Sequence, residues 1–286
     1  MFEKLSILLE MIKFKLTIFA MPFALMGAFL AAEGVPQFFV FTWIILAMIG
    51  ARTCAMGFNR IVDREYDGVN PRTADRALPA GQIRLGEAWA MVIGAGLLFF
   101  FACYNLNMLT LILSPFALFL TLFYSLTKRF TSLCHLVLGL ALSFSPLGGW
   151  VAVTGSLVGY PFALSLAVLF WVAGFDTIYA CLDADFDRKA RLYSLPSRMG
   201  RKNAFRLAGV FHISAFLLFI VTGIQAQLNI FYYIGIALAA AALFYQHRLV
   251  RPTDLSRIHA AFFSMNGFIS VALFVATWVS LVTANT

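Results

Sequence analysis

Two groups of polar residues recur at matched spacing in this chain. Asn59, Asp63 and Asp67 stand four apart in FNRIVDREYDG, and Asp176, Asp183 and Asp187 follow seven and four apart in FDTIYACLDADFD. On a helix, positions four apart differ by about 40° and rise about 6 Å, and seven residues nearly complete two turns. The spacing therefore predicts Asp63 and Asp67 on one face of one helix end, and Asp183 and Asp187 on one face of another. Asp176 shares the face of Asp183, and Arg52 that of Asn59; Glu65 and Asp185 fall off both stripes and are expected in solvent. Four carboxylates brought together repel one another, and the C-terminal end of a helix disfavours negative charge. A cation should compensate them. Hard oxygen donors suit Mg²⁺, which takes one or two carboxylates, waters and substrate phosphates in preference to an all-protein cage. Asp63, Asp67, Asp183 and Asp187 are thus candidate Mg²⁺ ligands, Asn59 offers a further oxygen, and a diphosphate is the ligand such a site would take. A single DxxxD would be an ordinary solvated helix end; two at equivalent ends are harder to explain that way.

Cations follow each acidic group. Arg72 and Arg76 lie four apart in NPRTADRALPAG, Lys128 and Arg129 close a later apolar run, and Arg188, Lys189 and Arg191 follow Asp187. Guanidinium forks match phosphate oxygens, although membrane topology also calls for cations here. Arg52 differs. It lies eleven residues before Asp63, about 16 Å at 1.5 Å per residue, inside an apolar helix. A charge so deep is costly and marks a functional candidate, with Asp176 as a possible partner or an anionic acceptor as its ligand.

The elements that must carry these residues are membrane helices. Of 286 residues, 62% are hydrophobic and 12% charged, about half the charged fraction of a soluble domain. Apolar runs near the ~20 residues needed for one crossing recur along the chain. They fall at 12–32, 38–62, 87–104, 108–126, 134–154, 161–182, 204–224, 228–247 and 260–282. The expected fold is all-α and polytopic, about nine helices in a single domain over 1–286, with possible related halves near 1–130 and 131–286. No signal-peptide cleavage site is evident after the opening residues, which read as the first span. The segments 33–37, 105–107, 155–160 and 225–229 contain no Lys or Arg, whereas 63–86, 127–133, 183–203 and 248–259 are basic. The positive-inside rule then places the N-terminus and the basic loops in the cytoplasm and the C-terminus outside. That topology explains the net charge of +8, and a nucleic-acid partner, which needs a basic face on a soluble domain, is excluded. The four cysteines stand singly in apolar runs without metal spacing, and His135, His212, His247 and His259 form no zinc or catalytic pattern, so both sets read as packing residues.

Asn59-x-x-x-Asp63-x-x-x-Asp67, the Arg-rich loop ending RALPAG, and FDTIYACLDADFD closing a later helix together resemble the UbiA superfamily of intramembrane prenyltransferases. The resemblance covers essentially the whole chain. It implies a helical bundle around a central cavity in which an allylic polyprenyl diphosphate binds through Mg²⁺ to Asp63, Asp67, Asp183 and Asp187, assisted by Asn59. YSLTKRF resembles the family's Tyr-x-x-x-Lys-Arg stretch, so Tyr124, Lys128 and Arg129 carry over as substrate contacts. Arg52, Arg72, Arg76, Asp176 and Tyr179 are expected on the cavity wall. The implied reaction is ionisation of the allylic C–O bond and capture of the carbocation by an aromatic acid; for the ring proton, a nearby carboxylate is needed, and Asp183 or Asp176 is our expectation. KFKLTIFAMPFALMGAF departs from the Arg-Pro-x-Gly stretch that usually opens members acting on 4-hydroxybenzoate. It resembles the 4-hydroxybenzoate-like branch found in menaquinone pathways, some members of which take a dihydroxynaphthoate. Ubiquinone and menaquinone biosynthesis both stay open, and the acceptor is open between 4-hydroxybenzoate, a dihydroxynaphthoate and another aromatic or tetrapyrrole ring. The implied setting is a bacterial inner membrane with the site opening to the cytoplasm. A secondary transporter is the rival reading, but transporters carry their sites near the midplane on broken helices, whereas most of these acids cluster at one face.

Overall fold

The computed structural model describes residues 2–12, 20–159 and 161–284. Its helices run in chain order as α1 (Phe2–Met11), α2 (Met21–Ala31), α3 (Phe38–Val62), α4 (Arg64–Val69), α5 (Leu85–Leu106), α6 (Met108–Thr127) and α7 (Cys134–Thr154). They continue as α8 (Pro161–Tyr179), α9 (Ala184–Lys189), α10 (Leu195–Gln225), α11 (Ile230–Leu249), α12 (Ile258–Ala260) and α13 (Asn266–Ala284). A 3₁₀ turn over Ala180–Leu182 extends α8, and a π-helical turn over Ala261–Met265 joins α12 to α13. Among the described residues, eight helices are long and apolar enough to cross a membrane, and Met21–Ala31 is a shorter apolar one. The chain is an integral membrane protein with an all-helical polytopic fold. The first expected span, 12–32, overlaps residues 13–19, which lie outside the described residues; of the remainder, α2 is helical.

Long apolar runs located the spans because each helix must satisfy its own backbone in lipid, and the outward faces are apolar. On α5, Trp89, Ile93, Leu97 and Phe101 recur every four residues and are all exposed, as are Ile112, Phe116 and Phe119 on α6. Inward faces carry small residues instead, since helices in lipid associate by close packing rather than by expelling water. A Cβ on Gly27 would fall 2.0 Å from the Pro146 carbonyl oxygen, and one on Gly149 would fall 2.0 Å from that of Ala24, so α2 and α7 touch backbone to backbone at two places. Gly139 sets the same closeness between α7 and α8 at the Leu169 carbonyl. One core cluster gathers Phe23, Trp171, Phe219 and Tyr232 from α2, α8, α10 and α11; a second joins α3, α5 and α6 through Cys54, Val92 and Leu118.

Two expectations are corrected here. Asp63 and Asp67 do not lie on one continuous helix, nor do Asp183 and Asp187. Asp63 ends α3 with φ −91° and ψ 0°, and Asp67 belongs to the separate α4. Asp183 ends the 3₁₀ turn with φ −100° and ψ 2°, and Asp187 belongs to α9. In both places the backbone hydrogen bond from the second Asp N–H to the first Asp C=O survives, at 2.8 and 2.7 Å. The pairs therefore keep one-turn proximity while the chain bends. The second correction concerns the expected span 204–224. The helix begins at Leu195, capped by the Ser194 hydroxyl, with a break at Gly200 (φ 78°, ψ 158°). The basic residues that looked like loop thus include its first turns, and Arg206 lies well inside it.

Candidate active site

The carboxylates are positioned by the turns that follow the long helices. Asn70 precedes Pro71 and folds an Asx turn, its Oδ1 accepting from the Arg72 N–H at 3.0 Å; proline disfavours helix for its predecessor and so ends α4. Thr73 donates to the Asp67 carbonyl at 3.1 Å. The 63–86 loop is thereby folded back over the end of α8. Arg72 Nε reaches Asp183 Oδ1 at 2.8 Å, Arg72 Nη2 binds Asp183 Oδ2, and Asn70 Nδ2 reaches Asp183 Oδ1 at 3.2 Å. Residues more than 100 positions apart in sequence meet here. Arg76 Nη1 contacts both oxygens of Asp67 at 2.6 and 2.7 Å. Lys128 Nζ lies 2.7 Å from Asp187 Oδ1, and Arg129 Nη2 lies 3.7 Å from Asp63 Oδ1 while donating to the Val62 carbonyl at 2.6 Å. Each carboxylate of the two DxxxD pairs thus faces a guanidinium or ammonium group.

These residues close one end of a cavity of about 580 Å³, within the range of small-molecule sites. Asn59, Asp63, Asp67, Asp183, Arg72 and Arg76 line its polar end, together with Lys128 and Arg129. Tyr124, Tyr179, Asp176 and Arg52 also lie on the wall, and side chains such as Leu113, Leu138 and Phe144 supply an apolar stretch. Of the four carboxylates expected at one site, Asp63, Asp67 and Asp183 line the cavity and Asp187 does not. Asp187 is wholly buried, 0% exposed, and is not on the cavity wall. Asp187 Oδ1 lies against Lys128 Nζ, a cavity-wall residue, and Oδ2 accepts from the Ser194 hydroxyl at 2.8 Å. Glu65 and Asp185 are exposed, as their position off the stripes predicted; Arg188 and Arg201 reach Asp185 rather than the cavity.

Charge and burial set the carboxylates apart. The Asp63 carboxyl is pushed up to about 6 by burial and by Asp67 beside it, against the pull of Lys128, Arg129 and Arg60. Burial also works to raise Asp183, but the hydrogen bonds and charge of Arg72, with Lys128 and Asn70, outweigh it and hold this carboxyl below the usual carboxylate range. For Lys128, burial favours the neutral amine, but Asp187 outweighs it and raises the ammonium pKa.

Arg52 does not pair with Asp176. Its Nε is buried without a hydrogen-bond partner among the described residues, and Asp176 Oδ2 instead lies 2.7 Å from His135 Nδ1. His135, expected to have a packing or interface role, is buried and also lies on the cavity wall. Sequence reasoning missed Asn70 and Arg60 too. Arg60 is buried, bonding the Met11 carbonyl at 3.1 Å through Nε and lying 3.9 Å from Asp67. The Asn-Pro step was a readable turn signal for Asn70; nothing local distinguishes His135 from a packed histidine. Phe262 and Phe263, carried by the π turn, pack on Tyr179 with ring centroids 4.3 and 6.5 Å away.

Comparison with known proteins agrees with this geometry. The model of the UbiA prenyltransferase family matches residues 20–281. A 4-hydroxybenzoate octaprenyltransferase of Nitrosospira multiformis is 34% identical over 244 residues, covering 85% of this chain and 83% of that protein. One from Nitrosomonas europaea is 34% identical over 252 residues, covering 87% and 85%. Among solved structures, the apo UbiA homolog from Aeropyrum pernix K1 superposes with a TM-score of 0.82 at 31% identity, covering 95% of this chain and 98% of that one. A UbiA homolog from Archaeoglobus fulgidus bound to GPP and Mg²⁺ shares the fold at a TM-score of 0.74 and 18% identity, covering 96% and 99%. With matched DxxxD turns facing one cavity in a polytopic helical bundle, and relatives over nearly its whole length, this chain belongs to the UbiA family and is a membrane prenyltransferase.

Proposed function

We propose that the chain transfers a polyprenyl group from an allylic diphosphate to 4-hydroxybenzoate, with Mg²⁺ as cofactor, at the cytoplasmic side of a bacterial inner membrane and in service of quinone biosynthesis. The acceptor rests on the relatives' activity and on Arg52, a cation deep in the cavity whose Nε has no hydrogen-bond partner among the described residues. The carboxylate of the acceptor gives it one. The single observation that carries the reading is the meeting of the two acidic turns, with their arginines, on one cavity wall.

The donor set suits a hard divalent ion: carboxylates of Asp63, Asp67 and Asp183, with the amide oxygen of Asn59, whose Nδ2 is turned to Asp63 Oδ2 at 2.9 Å. Asp187 supports Lys128 at the wall rather than completing this set. When bound, Mg²⁺ supplies Lewis-acid neutralisation of the departing diphosphate. Arg72, Arg76, Lys128 and Arg129 surround the same oxygens and stabilise the charge that builds on them. Tyr179, Phe262 and Phe263 present aromatic faces beside that end, where an allylic cation is attracted by π density. The apolar stretch holds the isoprenoid tail and keeps water from the cation. Matched backbone bends at Asp63 and Asp183 support the reading of two related halves.

The test is product mass spectrometry on membranes expressing the chain, supplied with prenyl diphosphates of several lengths and either 4-hydroxybenzoate or a dihydroxynaphthoate. Prenylated 4-hydroxybenzoate is expected. Prenylated naphthoate alone would reassign the acceptor, and labelled substrate accumulating unchanged inside vesicles would favour transport.

A further inference from the structure

We propose that His135 is a positioning residue for proton removal: it holds Asp176 so that one carboxylate oxygen faces the acceptor ring and receives its proton. The inference rests on the prenyl-transfer reading above and adds a residue to it.

The first observation is the tautomer that the surroundings impose. His135 lies in the first turn of α7, is buried, and places Nε2 3.3 Å from the backbone nitrogen of Leu195, the first residue of α10. A helix's first N–H groups lack intrahelical acceptors, so Leu195 donates and Nε2 accepts. The ring proton then sits on Nδ1 and is donated to Asp176 Oδ2 at 2.7 Å. His135 is thereby fixed at both nitrogens, and Asp176 is fixed by one oxygen. Its other oxygen, Oδ1, has no hydrogen bond among the described residues, and the side chain lies on the cavity wall.

The second observation is that the other carboxylates are committed. Asp183 is gripped by Arg72 and Asn70, Asp67 by Arg76 on both oxygens, Asp187 by Lys128 and Ser194, and Asp63 belongs to the proposed metal set with Asn59. Between the two acids considered for the ring proton, the geometry selects Asp176. It stands seven residues before Asp183, about 10 Å deeper at helical rise, beyond the diphosphate end and on the same cavity as Arg52.

The step balances without any further reagent. The allylic C–O bond breaks with its electron pair leaving on diphosphate. A ring π pair forms the new C–C bond to the allylic carbon. The C–H bond at that ring position then breaks, its pair restores aromaticity, and the proton passes to Asp176 Oδ1. His135 transfers no proton itself; its N–H on Oδ2 keeps Oδ1 aimed.

The test uses the full chain in membranes with geranyl diphosphate, Mg²⁺ and ring-deuterated against ordinary acceptor, taking whichever of the two acceptors the wild type prenylates; absence of any wild-type product would count against the function itself, not this residue. Wild type is expected to show no isotope effect, ionisation being slow. His135→Leu is expected to lower kcat at least about tenfold, leave the donor KM unchanged and bring in an isotope effect above unity. His135→Asn, whose Nδ2–H can replace Nδ1–H, should restore most of kcat and abolish the isotope effect. Thermal stabilisation by geranyl diphosphate with Mg²⁺ reports whether each variant is folded. Wild-type kcat in His135→Leu or Asp176→Asn, or a lowered kcat with no isotope effect in a folded His135→Leu, would overturn the proposal. If His135→Leu fails to fold, Asp176→Asn decides: loss of turnover or a new isotope effect supports the assignment, and unchanged kinetics overturns it.

Discussion

Arg72 holds Asp183 by two hydrogen bonds, and it is also a candidate for the diphosphate. Both roles cannot be filled at once, which makes Arg72→Ala informative. For Mg²⁺ to reach Asp183, the guanidinium has to let go. Hydrogen bonds to charged groups contribute about 1.5–3 kcal/mol. Arg72 is 30% exposed and Asp183 13%, so solvent screens the pair and about 1.5 kcal/mol is the figure to use. Deleting the arginine therefore relieves Mg²⁺ of a competitor worth about tenfold in affinity. Mg²⁺ alone should bind Arg72→Ala about tenfold more tightly than wild type, measured by titration calorimetry or by thermal shift against Mg²⁺ concentration. Prenyl transfer should move the other way, falling about a hundredfold, since an arginine is missing from the developing charge on the leaving group. Wild type should bind Mg²⁺ and inorganic diphosphate more tightly together than either alone, because the diphosphate gives the displaced arginines a new partner. Weaker or unchanged Mg²⁺ binding in Arg72→Ala would refute the exchange, as would equal stabilisation of wild type by Mg²⁺ with and without diphosphate.

Other expectations follow from the same contacts. Arg52→Ala should raise the KM for the aromatic acid about tenfold or more while leaving donor binding unchanged; an unaltered acceptor KM in steady-state kinetics removes Arg52 from the acceptor site. Asp63, raised to about 6, binds its proton more tightly in the folded than in the unfolded chain, so its ionisation costs stability above pH 6 and that cost disappears as pH falls towards 4. Without added metal, Asp63→Asn should therefore melt higher than wild type at pH 7.5, by at most about 2 kcal/mol, and show no advantage at pH 4.5; a pH-independent difference would contradict it. Gly149→Ala drives a methyl into the Ala24 carbonyl and should cost about 1–3 kcal/mol by overpacking, read as a lowered Tm; an unchanged Tm would mean that α2 and α7 do not meet this closely.

What the chain alone determined is what depends on local composition and period. Membrane helices satisfy their backbones internally and face lipid, so long apolar runs announce them, and Phe38–Val62 emerged with its expected bounds. Residue type and four-residue spacing marked Asp63, Asp67 and Asp183 as oxygen donors for a cavity, and the RALPAG and FDTIYACLDADFD stretches carried the family. Tertiary structure alone decided who pairs with whom. Spacing grouped Asp187 with the other carboxylates, but it lies buried against Lys128 and Ser194, off the cavity wall. The depth of Arg52 suggested Asp176 as partner, but His135, 41 residues before that aspartate, occupies it instead. Asn70 reaches Asp183 across 113 residues. A side chain's partner is set by which distant backbones meet, through contacts such as Gly149 against Ala24, and such meetings leave no period in the sequence.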